Sequence, residues 1–427
     1  MGLLLFGSLL LMMFLGVPIA FAILGSGTLT LLCTQLQPLT VVAQKLVNGL
    51  DSFPLIAVPL FIFAGNLMDR GGISKRLVDW CESLTGGFTG GLGAAAVVTC
   101  AVFAALTGSG PATVAAVGSI MIPSMVEKGY EKHRATGLVT SAGALGPIIP
   151  PSTPMIIYGC TMGVSIPYMF MGGVLPGALI ALALIVVNYV TARKNPALRN
   201  AAKTKFSFRN FGKATVRSFP TLLMPLIILG GIYGGVFTPT EAAAVACVYG
   251  LILSVGVYRE IRPKELPEIV ISSMKISAMA VFICGCANLL SFILTNSKMA
   301  NAITNAIVSN VSSPYGYLAI LIVLLLIVGC FLDVLAAILI LAPMLIPAGV
   351  ALGWDPLFLG CLFCIVLVIG LITPPFGVNL FTATAIADLK FEQVVKGVMP
   401  FLIVEVIAIV IIALNPWLIM WLPSLMS

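Results

Sequence analysis

A double proline occurs twice inside apolar sequence in this chain, at Pro150-Pro151 and at Pro374-Pro375. The two copies are 224 residues apart, and the same offset aligns segment 122–129 with segment 346–353. Proline removes a backbone donor and crowds the preceding turn, so a double proline breaks a helix. The sequence therefore predicts a duplicated unit in which each copy carries one broken helix.

The composition places these breaks in a membrane protein. Hydrophobic residues make up 60% of the chain and charged residues 9%, whereas soluble domains carry about 25% charged residues. The apolar runs are continuous rather than alternating, which favours helices over a closed barrel. We predict an all-α polytopic membrane protein with membrane-length apolar runs near 3–33, 53–69, 88–126, 135–163, 166–192, 219–258, 276–297, 316–352, 356–388 and 398–422.

The residues that would support catalysis are scarce. The only histidine, His133, lies in a charged segment, and most of the ten cysteines lie inside apolar runs. No phosphate-binding loop and no paired-carboxylate motif is evident. An intramembrane enzyme is therefore disfavoured, and a nucleic-acid partner is not expected. Two internal breaks in duplicated units suit alternating access better than a continuous channel.

Positive charge predicts the orientation of the helices, because Lys and Arg mark short cytoplasmic loops. Of the 22 Lys and Arg residues, 20 lie in five segments, at 70–76, 128–134, 193–217, 259–275 and 390–396. Placing these segments inside leaves Lys45 and Lys298 outside, together with both termini. Each copy then makes an odd number of crossings. The second copy is therefore predicted to be inverted relative to the first.

These considerations predict two inverted-topology repeats, at 1–192 and 219–427, joined by a basic cytoplasmic linker at 193–218. Each repeat combines a re-entrant hairpin, at about 88–126 or 316–352, with a proline-broken helix, at about 135–163 or 356–388. The inversion requires runs 3–33 and 219–258 to bend into two helices each. The linker is expected to be either an amphipathic helix on the anionic membrane surface or a solvated loop.

Non-helical backbone predicts where the functional site lies, because at membrane depth it is tolerated only when buried in protein or lining a cavity. Four such segments form two pairs, 107–113 with 146–153 and 331–334 with 370–379. Freed carbonyls and nearby hydroxyls are ligands for a small hard cation such as sodium, and half-helix N-termini suit a carboxylate. Alternatively, the small residues only allow close helix packing. The hydroxyls belong to Ser109, Thr113, Ser152, Thr153 and Thr373.

Three further polar residues lie in or near apolar sequence. Asp333 matches Ser109 at the repeat offset, and we expect it to neutralise a cation or to brace the hairpin tip through helix N-terminal amides. Asn379 is a candidate to supply a side-chain oxygen to the cavity. Glu241 is interpreted as a first-turn acid of a helix that Thr240 caps.

Four motifs together resemble the large membrane subunit of tripartite ATP-independent periplasmic (TRAP) transporters. They are segments 108–114, 146–153, 237–242 and 373–377. The resemblance implies a multi-pass protein of the bacterial inner membrane that imports an organic acid with Na⁺ by an elevator mechanism, and the charge pattern then makes both termini periplasmic. Its implied partners are a small four-helix membrane subunit, a periplasmic substrate-binding protein and the lipid bilayer. Because nothing precedes Met1, the small subunit is expected to be a separate chain.

The resemblance also implies a set of site residues at the hairpin tips and helix breaks. We expect the organic acid, such as a sialic acid or a C4-dicarboxylate, to bind at Ser109, Thr113, Thr153 and Asn379. A stand-alone sodium-coupled carboxylate or anion carrier of related fold is the alternative. The family pattern assigns sodium to Ser109, Gly110, Pro150, Ser152, Thr153, Asp333, Thr373, Pro374, Gly377 and Asn379.

Overall fold

The computed structural model describes residues 1–85, 89–201, 208–311 and 313–425, and these ranges contain helices and no strands. The all-α prediction is confirmed. Within these ranges, eight helical segments are long and apolar enough to cross a membrane, so the chain is a multi-pass membrane protein. These segments are Phe53–Arg70, Ile166–Arg193, Phe208–Tyr233, Pro239–Val257, Pro263–Asn296, Pro314–Phe331, Val334–Ala351 and Phe391–Leu414.

The N-terminal region contains five helices. Gly16 has a left-handed φ of 81° and Pro18 precedes the second helix, so the run 3–33 forms two packed helices, as predicted. The helices are α1 (Gly2–Phe14), α2 (Ile19–Thr34), α3 (Thr40–Leu50), α4 (Ala57–Arg70) and α5 (Ile73–Thr85), with a 3₁₀ turn at Phe53–Ile56 before α4.

The next region forms the predicted hairpin and broken helix. The hairpin consists of two helices joined at residues 108–109, although residue 88 of its predicted span lies outside the described residues. The run 135–163 is interrupted between Gly143 and Thr153, and we call residues 144–152 the first break. The helices are α6 (Gly91–Thr107), α7 (Gly110–Glu127), α8 (Lys132–Gly143), α9 (Thr153–Met162), α10 (Ile166–Arg193) and α11 (Pro196–Ala201).

The predicted linker between the two repeats ends in a helix. Residues 202–207 lie outside the described residues, and α12 begins at Phe208, so helix occupies the last part of the predicted linker 193–218. The next helices are α12 (Phe208–Tyr233), α13 (Pro239–Leu251, continued to Val257 as π-helix) and α14 (Leu266–Asn296).

The predicted bend between α12 and α13 is confirmed, but the predicted cap is wrong. Thr238, not Thr240, precedes the first turn of α13, and its hydroxyl accepts the Glu241 N–H at 3.3 Å. The Glu241 carboxylate accepts the Thr238 N–H at 2.8 Å in return. Pro239 occupies the first helical position, where a missing donor costs nothing. The capping residue is therefore the one before the proline.

The remaining helices contain the second hairpin and the second broken helix. The run 356–388 is interrupted between Gly370 and Val378, and we call residues 371–377 the second break. The run 398–422 is not one helix, because Pro416 lacks the N–H needed to continue it past Asn415. The helices are α15 (Met299–Asn310), α16 (Pro314–Phe331), α17 (Val334–Ala351), α18 (Pro356–Gly370), α19 (Val378–Ala387), α20 (Phe391–Leu414) and α21 (Trp417–Ser424).

The helices pack as two groups. In the outer group, α14 lies against α2, α3 and α4, α13 packs on α4, and α12 packs on α5. In the central group, α8 lies against α6, α7 and α20, and α18 lies against α16, α17 and α20. The groups meet where α4 and α5 contact α6 and where α14 and its neighbour α15 contact α17. Both hairpins and both breaks therefore belong to the central group.

Two glycines permit the close crossing of α8 and α20. A methyl group on Gly397 would overlap the carbonyl oxygen of His133, and one on Gly137 would overlap the backbone of Gly397. Small residues that let backbones approach are a common device of helix packing in membranes. This crossing fixes α20 against the helix that leads into the first break.

Replacing Gly397 by Ala should destabilise the central group. The added methyl overlaps backbone that has no free space, and overpacking of this kind costs about 1–3 kcal/mol. The control is Gly230→Ala, since a methyl at Gly230 meets nothing within 4 Å. Thermal unfolding in detergent should show a lower midpoint for Gly397→Ala and no decrease for Gly230→Ala. Equal midpoints for the two variants would contradict this packing.

Candidate functional site

The tip of the first hairpin, which α6 and α7 form, is a sharp turn between two buried threonines. Gly108 has a left-handed φ of 59°, and Ser109 is extended and does not cap α7 with its side chain. The Thr113 hydroxyl donates to the Ser109 carbonyl oxygen at 2.8 Å and lies 3.2 Å from the Thr107 hydroxyl oxygen. The Thr113 proton is thus used to hold the turn, and the Thr107 hydroxyl can donate to the Thr113 oxygen, which leaves one lone pair of that oxygen for a ligand.

The first hairpin tip packs directly on the first break. A methyl group on Gly108 would lie 2.9 Å from the Pro151 carbonyl oxygen and 3.2 Å from the Thr153 hydroxyl oxygen. One on Gly146 would lie 2.7 Å from the Ser109 carbonyl oxygen. The first predicted pair of segments is therefore brought together, and its oxygens converge where only glycine fits.

Ser152 secures the start of α9. It is fully buried, and its hydroxyl donates to the Pro147 carbonyl oxygen and accepts the Met155 N–H at 3.3 Å. Ser152 therefore caps the helix after the break, as serine commonly does. Pro150, also a predicted sodium ligand, is buried next to it.

The tip of the second hairpin, formed by α16 and α17, carries the acidic residue Asp333. Asp333 precedes α17, and its carboxylate accepts the Leu335 N–H at 3.0 Å. The prediction that it braces the tip through N-terminal amides is confirmed. Its side chain is exposed at the tip rather than enclosed among the helices, and the Val334 and Ala336 backbone amides also lie close to its carboxylate.

The second hairpin is held on the second break by backbone contacts. The Gly377 N–H donates to the Cys330 carbonyl oxygen at 3.2 Å, and the backbones of Gly329 and Gly370 touch. Gly377 has a left-handed φ of 48°. The Thr373 hydroxyl donates to the Ile369 carbonyl oxygen at 3.0 Å, and Pro374 is partly buried nearby. The second predicted pair is therefore also brought together.

The two pairs meet at Gly110 and Asn379. A methyl group on Gly110 would lie 2.9 Å from Asn379 Oδ1 and 3.1 Å from Nδ2. Asn379 is fully buried, and neither Oδ1 nor Nδ2 has a hydrogen-bond partner among the described residues. In addition, α7 packs on α19 and α17 packs on α9, so each hairpin touches the half-helix beyond the other break.

The unpaired Asn379 amide indicates a place for a ligand. Burying an amide without a partner costs about 1–3 kcal/mol, so buried polar groups are normally bonded. A bound cation would use Oδ1, and a carboxylate would accept from Nδ2. The helices α7, α9, α17 and α19 all begin beside the hairpin tips and breaks, with N-terminal dipoles that favour an anion.

Freed carbonyls were predicted as ligands without saying which ones, and neither Pro151, Cys330 nor Thr107 was among the predicted site residues. The Ser109 and Pro151 carbonyl oxygens point into the first pair, and the Cys330 carbonyl holds the second. Thr107 also faces Thr113. The sequence indicated the carbonyl ligands in part, because any turn that interrupts helical hydrogen bonding frees backbone carbonyls. Which carbonyl faces the partner segment depends on tertiary packing.

A multi-pass helical protein whose hairpins and broken helices surround a buried polar centre belongs to the class of membrane transport proteins. Residues 6–418 match the family model of the tripartite ATP-independent periplasmic transporter, DctM component. The chain belongs to this family. It is a transporter component and not an enzyme.

Curated relatives cover nearly all of the chain. A C4-dicarboxylate TRAP transporter large permease protein, DctM, of Vibrio cholerae serotype O1 is 39% identical over 97% of this chain and 96% of its own length. The isethionate TRAP transporter permease protein DctMQ of Oleidesulfovibrio alaskensis is 40% identical over 96% of this chain, which spans 64% of that relative. The sialic acid TRAP transporter permease protein SiaT of Haemophilus influenzae is 34% identical over 98% of this chain and 67% of its own length.

Replacing Asn379 by Leu should stabilise the protein in the absence of sodium and substrate. The change removes an unpaired buried amide at similar volume, so the free energy of unfolding should rise by about 1–2 kcal/mol. The matched control is Asn188→Leu, because Asn188 is also buried but donates to the Gly90 carbonyl oxygen at 2.8 Å. That variant should be destabilised. Thermal unfolding of both variants tests this, and destabilisation of Asn379→Leu would show that the amide is paired.

Proposed function

We propose that this chain is the large membrane subunit of a sodium-coupled importer of an organic acid in a bacterial inner membrane. A small four-helix membrane subunit and a periplasmic substrate-binding protein would complete the transporter. Family membership supports this organisation, since the family is described as tripartite. The observation that carries the site is the buried, unpaired amide of Asn379 against Gly110, where both hairpins and both breaks meet.

The donor set supports sodium as the coupled ion. The groups around the two tips are carbonyl oxygens, hydroxyl oxygens, one amide and one carboxylate, which suit a hard cation. No cluster of three or more His, Cys, Asp or Glu side chains occurs in the part of the chain that the structure describes. We assign the first ion position to Ser109, Gly110, Pro150, Ser152 and Thr153, and the second to Asp333, Thr373, Pro374, Gly377 and Asn379.

An anionic cargo fits the helix N-termini around the centre. Four helices begin there, and each presents unpaired N–H groups and a positive dipole end. The relatives named above transport, by their names, C4-dicarboxylates, isethionate and sialic acid. We propose that the cargo is likewise an organic acid, such as a sialic acid or a C4-dicarboxylate, bound near Ser109, Thr113, Thr153 and Asn379.

The helix boundaries support the proposal of two inverted repeats at 1–192 and 219–427. At an offset of 224 residues, the first and last residues of α7 (Gly110–Glu127) align with those of α17 (Val334–Ala351). At the same offset, the first residue of α9 aligns with the residue just before the start of α19. The central group carries both sites and the outer group carries neither. In an elevator mechanism, the central group would move against the outer group and carry the sites across the membrane.

Reconstitution tests the function as a whole. Proteoliposomes containing the chain, the small subunit and the binding protein should take up labelled organic acid when an inward sodium gradient is imposed. Omitting either partner, or replacing sodium by potassium, should abolish uptake. Uptake by the chain alone would favour a stand-alone carrier, and uptake without sodium would contradict the coupling.

Ser109→Ala and Asp333→Ala should weaken the sodium dependence of uptake. Each change removes an oxygen from one of the two proposed ion positions, so the sodium concentration for half-maximal uptake should rise about tenfold, the equivalent of about 1.4 kcal/mol. The control is Ser309→Ala, an exposed hydroxyl on α15 that donates to the Ala306 carbonyl oxygen. Wild-type sodium titrations in both site variants would exclude these side chains as ligands.

Cysteine labelling tests the inversion of the repeats. Glu127 and Ala351 are equivalent at the repeat offset, are both exposed, and end α7 and α17. The proposal places Ala351 outside and Glu127 inside. In a Cys33→Ser background, which removes the one exposed native cysteine, an impermeant external maleimide should label Ala351→Cys and not Glu127→Cys in intact cells. Labelling of both from the same side would refute the inversion.

A further inference from the structure

Glu405 is a buried acid that the proposed transport site does not use. It lies in α20, has no exposed surface, and neither Oε1 nor Oε2 has a hydrogen-bond partner among the described residues. An ionised carboxylate in such a place loses its hydration without compensation, which costs far more than burying a neutral group. Buried acids in membrane proteins commonly mark ion or proton pathways.

A cavity approaches Glu405 from one end of the bundle. Its volume is about 270 Å³, and its lining includes Tyr130, Arg134, Asn188, Thr191 and Phe401. Phe401 is 4% exposed and lies four residues before Glu405, on the same face of α20. One helical turn is about 5.4 Å. Among the cavity-lining residues, Phe401 is thus the one on α20, one helical turn from the buried acid.

In the described part of the chain, no Lys, Arg or His side chain pairs with the Glu405 carboxyl group. The side chains of His133 and Arg134 both contact the Glu131 carboxylate, at 3.5 and 2.8 Å, and the Arg193 guanidinium lies over the Tyr189 ring. Gly397 contacts α8 at Gly137. Glu405 is eight residues further along α20, which places it about 12 Å along the helix axis from this contact. The helices that pack against α20 are α8, α10, α18 and α19. Their titratable or charged groups are Lys132, His133 and Arg134 on α8, Tyr168, Tyr189 and Arg193 on α10, and Cys361 and Cys364 on α18, with none on α19; α20 itself also carries Glu392 and Lys396.

We propose that Glu405 is a proton-binding site that is protonated in this conformation and exchanges its proton with water in the cavity when Phe401 moves. The carboxylate takes a proton from water to become a neutral carboxylic acid and returns it to water, so no other reactant is needed. A neutral acid can be buried without a counter-ion, whereas a cation would need further oxygen ligands. This site is separate from the proposed sodium positions and does not depend on them.

The pH dependence of stability tests the proposal without any transport assay. Above about pH 4.3 the unfolded chain releases this proton, while the folded chain retains it. The wild type should therefore lose stability relative to Glu405→Gln as pH rises. Between pH 5 and pH 8.5, the unfolding midpoint of the wild type should fall by at least about 4 °C relative to Glu405→Gln.

The matched control is Glu392→Gln, which changes an exposed acid in the first turn of the same helix. Its pH profile should parallel that of the wild type. A Glu405→Gln profile that also parallels the wild type would overturn the proposal. So would a difference that disappears on adding sodium chloride at constant pH, since sodium would then occupy the position.

Infrared spectroscopy gives a test that needs no stable glutamine variant. At pH 7 the wild type should show the carbonyl band of a protonated carboxylic acid that shifts in D₂O, and the band should be missing from Glu405→Leu. The shift should appear sooner in Phe401→Ala, because removing the ring that lines the cavity one turn from the acid enlarges the cavity on that side. A wild-type spectrum without a protonated carboxyl band would overturn the proposal, and an unchanged exchange rate in Phe401→Ala would overturn the route.

Discussion

The structure depends on one constraint, which is that backbone N–H and C=O groups within a membrane must find partners in the protein. Two double prolines interrupt helices that would otherwise satisfy their own backbone. Each interruption is covered by the tip of a helical hairpin, and the contact distances are so short that glycine is required at Gly108, Gly146, Gly329 and Gly370. The hairpins, the breaks and their glycines are thus consequences of the same requirement.

Among the described residues, five buried side chains have polar atoms without a hydrogen-bond partner: the hydroxyl groups of Thr99, Ser141 and Tyr233, the Asn379 amide and the Glu405 carboxyl group. The last two carry the functional proposals. The Asn379 amide is unpaired where the two hairpin and break pairs meet, and the Glu405 carboxyl group is unpaired in α20. Neighbouring polar groups such as Ser152 and Thr113 are bonded within the protein. An unpaired buried group lowers stability, so its retention is best explained by a ligand, a sodium ion or organic acid for Asn379 and a proton for Glu405.

The sequence predicted the features that depend on local chemistry. Proline breaks, glycine-rich tips and continuous apolar runs gave the hairpins, the broken helices and the bends near Pro18 and Pro239, because these effects act within a few residues. Family membership, predicted from four motifs, is confirmed by the match over residues 6–418. Helices α3, α5 and α15 were missed, since their mixed polar and apolar sequences resemble loops in a search for apolar runs.

Features set by tertiary packing were not predictable in this way. The choice of Thr238 over Thr240 as a cap depends on where the helix starts, and the exposure of Asp333 depends on how the second hairpin tip is covered. The burial of Asn379 against Gly110 depends on how the two halves of the chain pack together, which no local pattern of residues shows. The pattern of residues identified the site region, and the packing distinguished bonded side chains from unpaired ones.

The most direct measurement of the central claim is the unfolding temperature of the purified chain in sodium chloride and in potassium chloride at equal ionic strength. A ligand that binds only the folded state stabilises it in proportion to the logarithm of its concentration above the dissociation constant. The wild type should be more stable in sodium, by an increment that grows with concentration, and Asn379→Leu should show a smaller increment, because only the first ion position remains intact. A wild type indifferent to sodium, or an increment of the same size in Asn379→Leu, would contradict the assignment of this buried centre as an ion site.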